Sequence, residues 1–277
     1  MSVISVRGLR KSYGGNEAVR GIDFEIRAGE VFGLLGPNGA GKTTTIEILE
    51  GYRDRSGGEV EVLGLDPQHA GRAWREKLGV VLQSSSLYPN LTVRESLRTF
   101  GGYYTRSRNV SEVVEIIGLG DKADARVRTL SGGQKRRLDL GLALIGDPEL
   151  IFLDEPTTGF DPGARRAAWE TIRNLRSLGK TILLTTHYLD EAEQLADRVA
   201  VLRAGEIVRE GSPADLTSAS AETEIRFRRN GTVVVERTKE PTQRLHELIH
   251  EAGGAELDEL EVRRPTLEDV YLELTGE

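Results

Sequence analysis

The sequence predicts an α/β chain in which a parallel β-sheet carries helices on both faces, with an antiparallel β subdomain, a helical subdomain and a small α+β domain at the C-terminal end. Three observations predict it. The runs at residues 31–35, 80–82, 150–153 and 182–185 are apolar but for Thr185 and separated by helical patterns, as strands buried on both faces require. The runs at 3–9, 19–26 and 59–63 instead alternate in part and are broken by Gly, which suits an antiparallel sheet. After a small, polar segment at 217–222 the composition changes and a fresh set of elements begins.

The first core run passes directly into Gly36-Pro37-Asn38-Gly39-Ala40-Gly41-Lys42-Thr43, and a helix-competent stretch follows from Thr44 to Glu50. Glycines at this spacing permit positive φ and close approach of a ligand, so successive backbone N–H groups and the helix N-terminus can face a phosphate. Lys42 is placed to reach β- and γ-phosphates and Thr43 to hold Mg²⁺. The nucleotide-binding set read from this segment is Gly36, Asn38, Gly39, Gly41, Lys42, Thr43 and Thr44. The strand at 78–82 then ends at Gln83, whose amide can approach a metal ion or a water without adding charge.

A mainly helical insert occupies residues 92–130. Thr92 and Glu95 form a capping box, and Val113, Ile116 and Ile117 give a short apolar face before the turn Gly118-Leu119-Gly120. Leu130-Ser131-Gly132-Gly133-Gln134 leads into a helix at 135–143, and a Ser with two glycines at a helix start makes a second anion site. Taken alone, the same residues read equally as an N-cap and a turn. The basic run Lys135-Arg136-Arg137 and the Arg-rich run at 226–229 read as solvated faces.

The run at 150–153 ends in Asp154-Glu155-Pro156, so two acids emerge at the carboxyl edge of a core strand. Asp154 is suited to orient Mg²⁺ through its water shell, and Glu155 to polarise the water that attacks a γ-phosphate. Asp161 and Pro162 open the next helix as N-cap and first-turn Pro, with Ala168, Ile172, Leu175 and Leu178 on one stripe. His187 follows the strand at 181–186, and strands at 199–202 and 206–209 flank the turn Arg203-Ala204-Gly205. In the tail, Ile225 and Phe227 alternate in one strand, a second covers 233–235, and Leu257, Leu260 and Val262 mark a third. Leu245, Leu248, Ile249 and Ala252 form one helical face, and Leu267, Val270, Tyr271 and Leu274 another.

Composition narrows the function. The 277 residues contain no Cys, which excludes disulfides and thiolate metal sites, and a net charge of −7 argues against a nucleic-acid surface. No segment approaches the roughly 18 apolar residues of a membrane span, and Met1 to Arg7 lacks the regions of a signal peptide. Any transmembrane path is therefore expected from another polypeptide.

With the phosphate loop, Gln83, the 130–134 segment, Asp154-Glu155 and His187 in sequence order, residues 2–215 closely resemble the nucleotide-binding subunit of the ATP-binding-cassette (ABC) transporter family. The resemblance implies a P-loop NTPase with a RecA-like core over residues 1–216, including a helical subdomain at about 92–145. A linker at 217–222 and an accessory α+β domain at 223–277 would follow. It further implies that Tyr13, an aromatic beside Gly14-Gly15, stacks on adenine, that Gln83 senses both Mg²⁺ and a permease, and that His187 contacts the γ-phosphate. Ser131, Gly132, Gly133 and Gln134 would serve the ATP held by the other subunit of a head-to-tail homodimer. Asp161, in Gly159-Phe160-Asp161-Pro162, matches the loop that couples the two sites, with Phe160 where most members have Leu.

The chain ending, Arg264-Pro265-Thr266-Leu267-Glu268-Asp269-Val270-Tyr271, resembles the C-terminal extension of bacterial and archaeal drug, antibiotic and lipid exporters, the daunorubicin-resistance type among them. The expected protein is thus a Mg²⁺-dependent ATPase that binds membrane-spanning permease subunits at the cytoplasmic face of the membrane and powers export. Two rival readings are a non-transport relative that remodels ribosomal or membrane complexes, and a scaffold that binds ATP without turnover. Retention of Lys42, Glu155 and His187 argues against the second.

Overall fold

The computed structural model describes residues 2–83, 87–219, 222–229, 231–254, 256–263 and 266–275. The chain divides into two compact units, Met1–Glu210 and Gly211–Glu277.

The first unit is built on a six-stranded sheet with strand order β5-β6-β7-β3-β8-β9. Its strands are β3 (Val31–Leu35), β5 (Leu78–Val81), β6 (Leu150–Asp154), β7 (Thr181–Thr186), β8 (Arg198–Arg203) and β9 (Glu206–Gly211). The neighbours from β5 through β8 run parallel. Every residue of β3, β6 and β7 is buried, so those three apolar runs are strands covered on both faces. The run at 80–82 is a correction, because β5 is the edge strand and Val80 is 39% and Leu82, beyond its end, 53% exposed. Alternation then sorts the core in two. Phe32, Leu34, Leu150, Phe152 and Leu183 face a three-stranded antiparallel sheet and the helix α1 (Lys42–Leu49). That sheet has the order β2-β1-β4, from β1 (Ser2–Tyr13), β2 (Asn16–Arg27) and β4 (Gly57–Val62).

On the opposite face, Val31, Ile151, Leu153, Ile182 and Leu184 pack against helices. These include α3 (Val93–Gly101), α4 (Val110–Ile116), α5 (Gly132–Leu144) and α6 (Pro162–Ser177). The short helices α2 (Arg72–Arg75) and α7 (Leu189–Leu195) complete the unit. The capping box of Thr92 and Glu95 starts α3, and Asp161 caps α6 by accepting from the amides of Gly163 and Ala164, each at 2.9 Å. Ala168, Ile172 and Leu175 are buried along α6 as their spacing predicts. Leu178 is a correction: it is the C-cap residue, 40% exposed, because the helix ends one residue before it.

The second unit has an antiparallel sheet of order β11-β10-β12, made of β10 (Thr223–Arg229), β11 (Thr232–Thr238) and β12 (Asp258–Arg263). Helices α8 (Pro213–Ala219), α9 (Pro241–Glu251) and α10 (Leu267–Thr275) accompany it. Ile225 and Phe227 project from β10 onto Leu248 of α9, and α8 packs on α10. Thr266 and Asp269 cap α10 reciprocally through main-chain amides. Helix α8 takes in residues 217–219, the first half of the segment expected as a linker, while 220 and 221 lie outside the described residues, as does the side chain of Leu274.

Candidate functional site

The carboxyl edge of the parallel sheet gathers the site. From β3 the chain turns through 36–41 into α1, and two of its positions admit only glycine. A Cβ on Gly36 would lie 2.4 Å from the Leu202 carbonyl oxygen, and one on Gly41, at φ 110°, would lie 2.6 Å from that of Ala18. No side chain caps α1 at Gly41, so its first-turn amides remain available to an anion. Asn38, Gly39 and Thr43 are exposed and Thr44 is half-buried at this helix start.

Lys42 is 5% exposed and its ammonium donates to the carbonyls of Gly36 at 2.7 Å and Pro37 at 3.1 Å. It stands 3.8 Å from Glu155 Oε1. Burial pushes the Lys42 ammonium below the usual lysine range, against the opposing pull of Glu155 and Asp154. Asp154 closes β6 with its Oδ1 accepting from the Thr185 hydroxyl at 2.5 Å; burial pushes this carboxyl up, and that hydrogen bond works the other way.

Glu155 is the hub. Its backbone sits at φ 45°, and its N–H donates to both the carbonyl and the hydroxyl of Thr185, each at 3.1 Å. Its Oε2 accepts from the Gln83 amide and the Thr158 hydroxyl, each at 3.1 Å, and its Oε1 lies 3.4 Å from His187 Nδ1. Gln83 and His187 themselves are exposed. Lys42 at the start of α1, and Gln83, Asp154, Glu155 and His187 at the ends of three strands, thus share one centre. A carboxylate held among a lysine, an amide and an imidazole is arranged to take a proton from a water that attacks a phosphoanhydride.

Tyr13 ends β1 at 40% exposure, with Lys11 Nζ 5.1 Å and the Arg53 guanidinium 5.3 Å from its ring centroid. An exposed ring flanked by cations is free to stack on a base. Ser131 and Gln134 cap α5 reciprocally, at 2.9 and 3.3 Å. Among the described residues their side chains form no hydrogen bond with the Glu155 cluster. Gly133 lies against the start of α6, where a Cβ would meet that of Ala164 at 2.9 Å, so the 131–134 segment and the Asp161 cap are neighbours.

Four contributors were not singled out from sequence. Thr185 and Thr158 anchor Glu155, and Thr157 donates to the fully buried Glu191 at 2.8 Å. For Thr185 the available signal was a hydroxyl inside the apolar run 181–186, since a buried polar group needs a partner. The fourth corrects the solvated reading of Lys135-Arg136-Arg137: Arg136 is 7% exposed and Arg137 donates to the carbonyls of Ile117 and Gly118. Arg136 shares a helical stripe with Leu140, Ala143 and Leu144, which would have placed it inward.

Among the described residues no group of three or more His, Cys, Asp or Glu could cage a metal, and no helix is long and apolar enough to cross a membrane. Thr43, Gln83 and Asp154 offer oxygen donors, which fits an ion that arrives bound to substrate phosphates.

A family model described as ABC transporter matches residues 19–158. The chain is 42% identical to Nod factor export ATP-binding protein I of Rhizobium meliloti (strain 1021), over 99% of this chain and 88% of that protein. It is 41% identical to the protein of the same description from Cupriavidus metallidurans, over 99% and 98%. Among solved structures, the ATP-binding subunit of an ABC transporter is similar at a TM-score of 0.72 and 24% identity, covering 98% of this chain and 99% of that one. An ATP-binding cassette in a dimeric post-hydrolysis state, bound to ADP and Pi, is similar at a TM-score of 0.66 and 25% identity, covering 76% and 98%.

Proposed function

The chain belongs to the ABC transporter family as an exporter-powering ATPase, and from that premise we propose that Glu155 is the general base for ATP hydrolysis at a composite site. The observation that carries this is the convergence of Lys42, Gln83, Thr158 and His187 on one Glu155 carboxylate. Lys42 and the amides of residues 39–43 bind the β- and γ-phosphates, and Tyr13 stacks on adenine. His187 holds the γ-phosphate and orients Glu155. Thr43, Gln83 and Asp154 would hold Mg²⁺, which would supply neutralisation of phosphate charge. Asp154 keeps its carboxylate aligned through Thr185.

Ser131, Gly132, Gly133 and Gln134 then act on the ATP of a second copy: the reciprocal cap takes the amides of Ser131 and Gln134 but not those of Gly132 and Gly133, which leaves donors at this helix start for an anion. Asp161, fixed at the start of α6 beside Gly133, couples the two sites. ATP closes the head-to-tail dimer and hydrolysis reopens it, a movement passed through the Gln83 region to transmembrane permease subunits at the cytoplasmic face of the membrane. The relatives' description as export proteins supports this direction over the ribosome-remodelling alternative, and the cargo is chosen by the membrane partner. The C-terminal elements form an accessory domain of that assembly.

Glu155→Gln tests the reading. The amide cannot accept the proton, so turnover falls by about 10²–10⁴-fold while MgATP binding persists, and an ATP-bound dimer accumulates on size exclusion. Hydrolysis at the wild-type rate would remove Glu155 from the role.

A further inference from the structure

Arg136 sits five residues beyond the Ser131 N-cap in α5, with its guanidinium buried. Its donors go to main-chain carbonyls: Nε to Pro156 at 2.9 Å, Nη2 to Asp154 at 3.1 Å and Glu155 at 3.4 Å, and Nη1 to Leu82 at 2.5 Å. Asp139 lies 4.0 Å from Nη1. A buried guanidinium is costly unless its donors and charge are met. Here they are met by the two chain segments that carry Gln83 and Glu155. Glu155 stands in the left-handed region at φ 45°, where a residue with a side chain persists only if its surroundings hold it. The far side of the same loop is also fixed, because Thr157 and the Trp169 indole both donate to Glu191 Oε1, at 2.8 and 3.1 Å.

We propose that Arg136 is a positioning residue, whose guanidinium holds the strand end at 154–156 and the approach to Gln83 so that the Glu155 carboxylate stays in reach of Lys42 and His187, and which ties that geometry to the 131–134 segment. The idea rests on Glu155 as the base. One unbroken helix joins Ser131 to Arg136, so a nucleotide that a second subunit presses against residues 131–134 acts on Glu155 through this side chain. The planar fork spreads donors from three nitrogens over four carbonyls on two chain segments, a wider reach than the three donors that a lysine ammonium carries on one atom.

The test is ATPase kinetics on the purified full-length chain carrying Arg136→Met, Arg136→Lys, Glu155→Gln and the Arg136/Glu155 double variants. A misplaced base costs on the order of 10²-fold in rate, so Arg136→Met lowers kcat by about that factor with KM for ATP near wild type, and Arg136→Lys falls between. Because Arg136 acts through Glu155, Arg136→Met adds no further loss to Glu155→Gln in single-turnover assays. A purely structural role would multiply the two losses and move KM as well. If Arg136→Met does not bind ATP, the Arg136→Lys pair is read by the same criteria. Wild-type kcat in the Arg136 variants beside an inactive Glu155→Gln overturns the role of Arg136 alone, as do multiplied losses. Wild-type turnover in Glu155→Gln overturns the base assignment and this proposal with it.

Discussion

Glu50 shows how closely charge is packed behind the phosphate loop. It is the C-cap residue of α1, its Oε1 is buried without a hydrogen-bond partner, and burial next to Asp154 and Glu47 pushes its carboxyl up to about 8. The sign follows from proton counting. Between about pH 4.5 and 8 the folded chain keeps a proton that the unfolded chain has released, so this group's contribution to stability is full below that window and lost as pH rises through it. Glu50→Gln keeps the neutral form at every pH. Without nucleotide, its stability advantage over the wild type should therefore open between pH 5 and 9, to at most roughly 5 kcal/mol at about 1.4 kcal/mol per unit. Urea midpoints across that range would measure it, and a constant difference would refute it. At this scale position was legible where the pattern is local: Gly41 and Lys42 stand at the start of α1, and Asp154 closes β6 with Glu155 next to it, as the sequence places them, while their roles in hydrolysis are the proposal. Arg136 was misread because its two cationic neighbours outweighed the inward stripe it shares with Leu140, Ala143 and Leu144, and the four carbonyls that satisfy it lie 18 to 54 residues away.

Elements carry the next constraint, since each functional loop is only as well placed as the strand behind it. Strand β5 delivers Gln83 and packs against α5, with Gly79 at the contact; a Cβ there would meet the Ala143 carbonyl oxygen at 2.5 Å and Pro148 at 3.1 Å. The first neighbour is backbone and cannot turn aside. Gly79→Ala should then cost about 1–3 kcal/mol through overpacking, seen as a lower denaturation midpoint, and it should weaken ATPase activity as Gln83 shifts. Unchanged stability would mean that α5 and β5 separate freely. The uniformly apolar runs made β3, β6 and β7 easy to read, and the Thr92–Glu95, Asp161 and Ser131 caps marked helix starts correctly because capping is local chemistry. Edge and end positions were less legible. Helix α8 extends through residues 217–219, where small polar residues follow Leu216, a side chain whose burial depends on contacts remote in sequence.

For the whole molecule, every group proposed to bind nucleotide lies in the unit that ends at Glu210, and that unit holds both large core clusters. The unit from Gly211 onward has a much smaller core around Ile225, Phe227 and Leu248, with Leu267 and Val270 buried on α10. The layered α/β architecture was readable because burial on both faces leaves an unmistakable pattern, whereas the small unit's role was not, since among the described residues acids such as Glu236, Glu247 and Glu251 around Arg244 form ion pairs, and no group there could hold a metal. A domain that small buries a modest fraction of its surface and is only marginally stable by itself. A chain stopped after Gly211 keeps β9 whole and should unfold in one cooperative transition while binding MgATP with the affinity of the full protein. Isothermal titration with the nucleotide, alongside chemical denaturation, would decide it. Loss of nucleotide binding in a still-folded truncation would mean that the second unit shapes the site. Retained binding with poorer assembly on the permease would instead assign residues beyond 211 to the assembly, which is where a separately folded unit without nucleotide-binding groups can act.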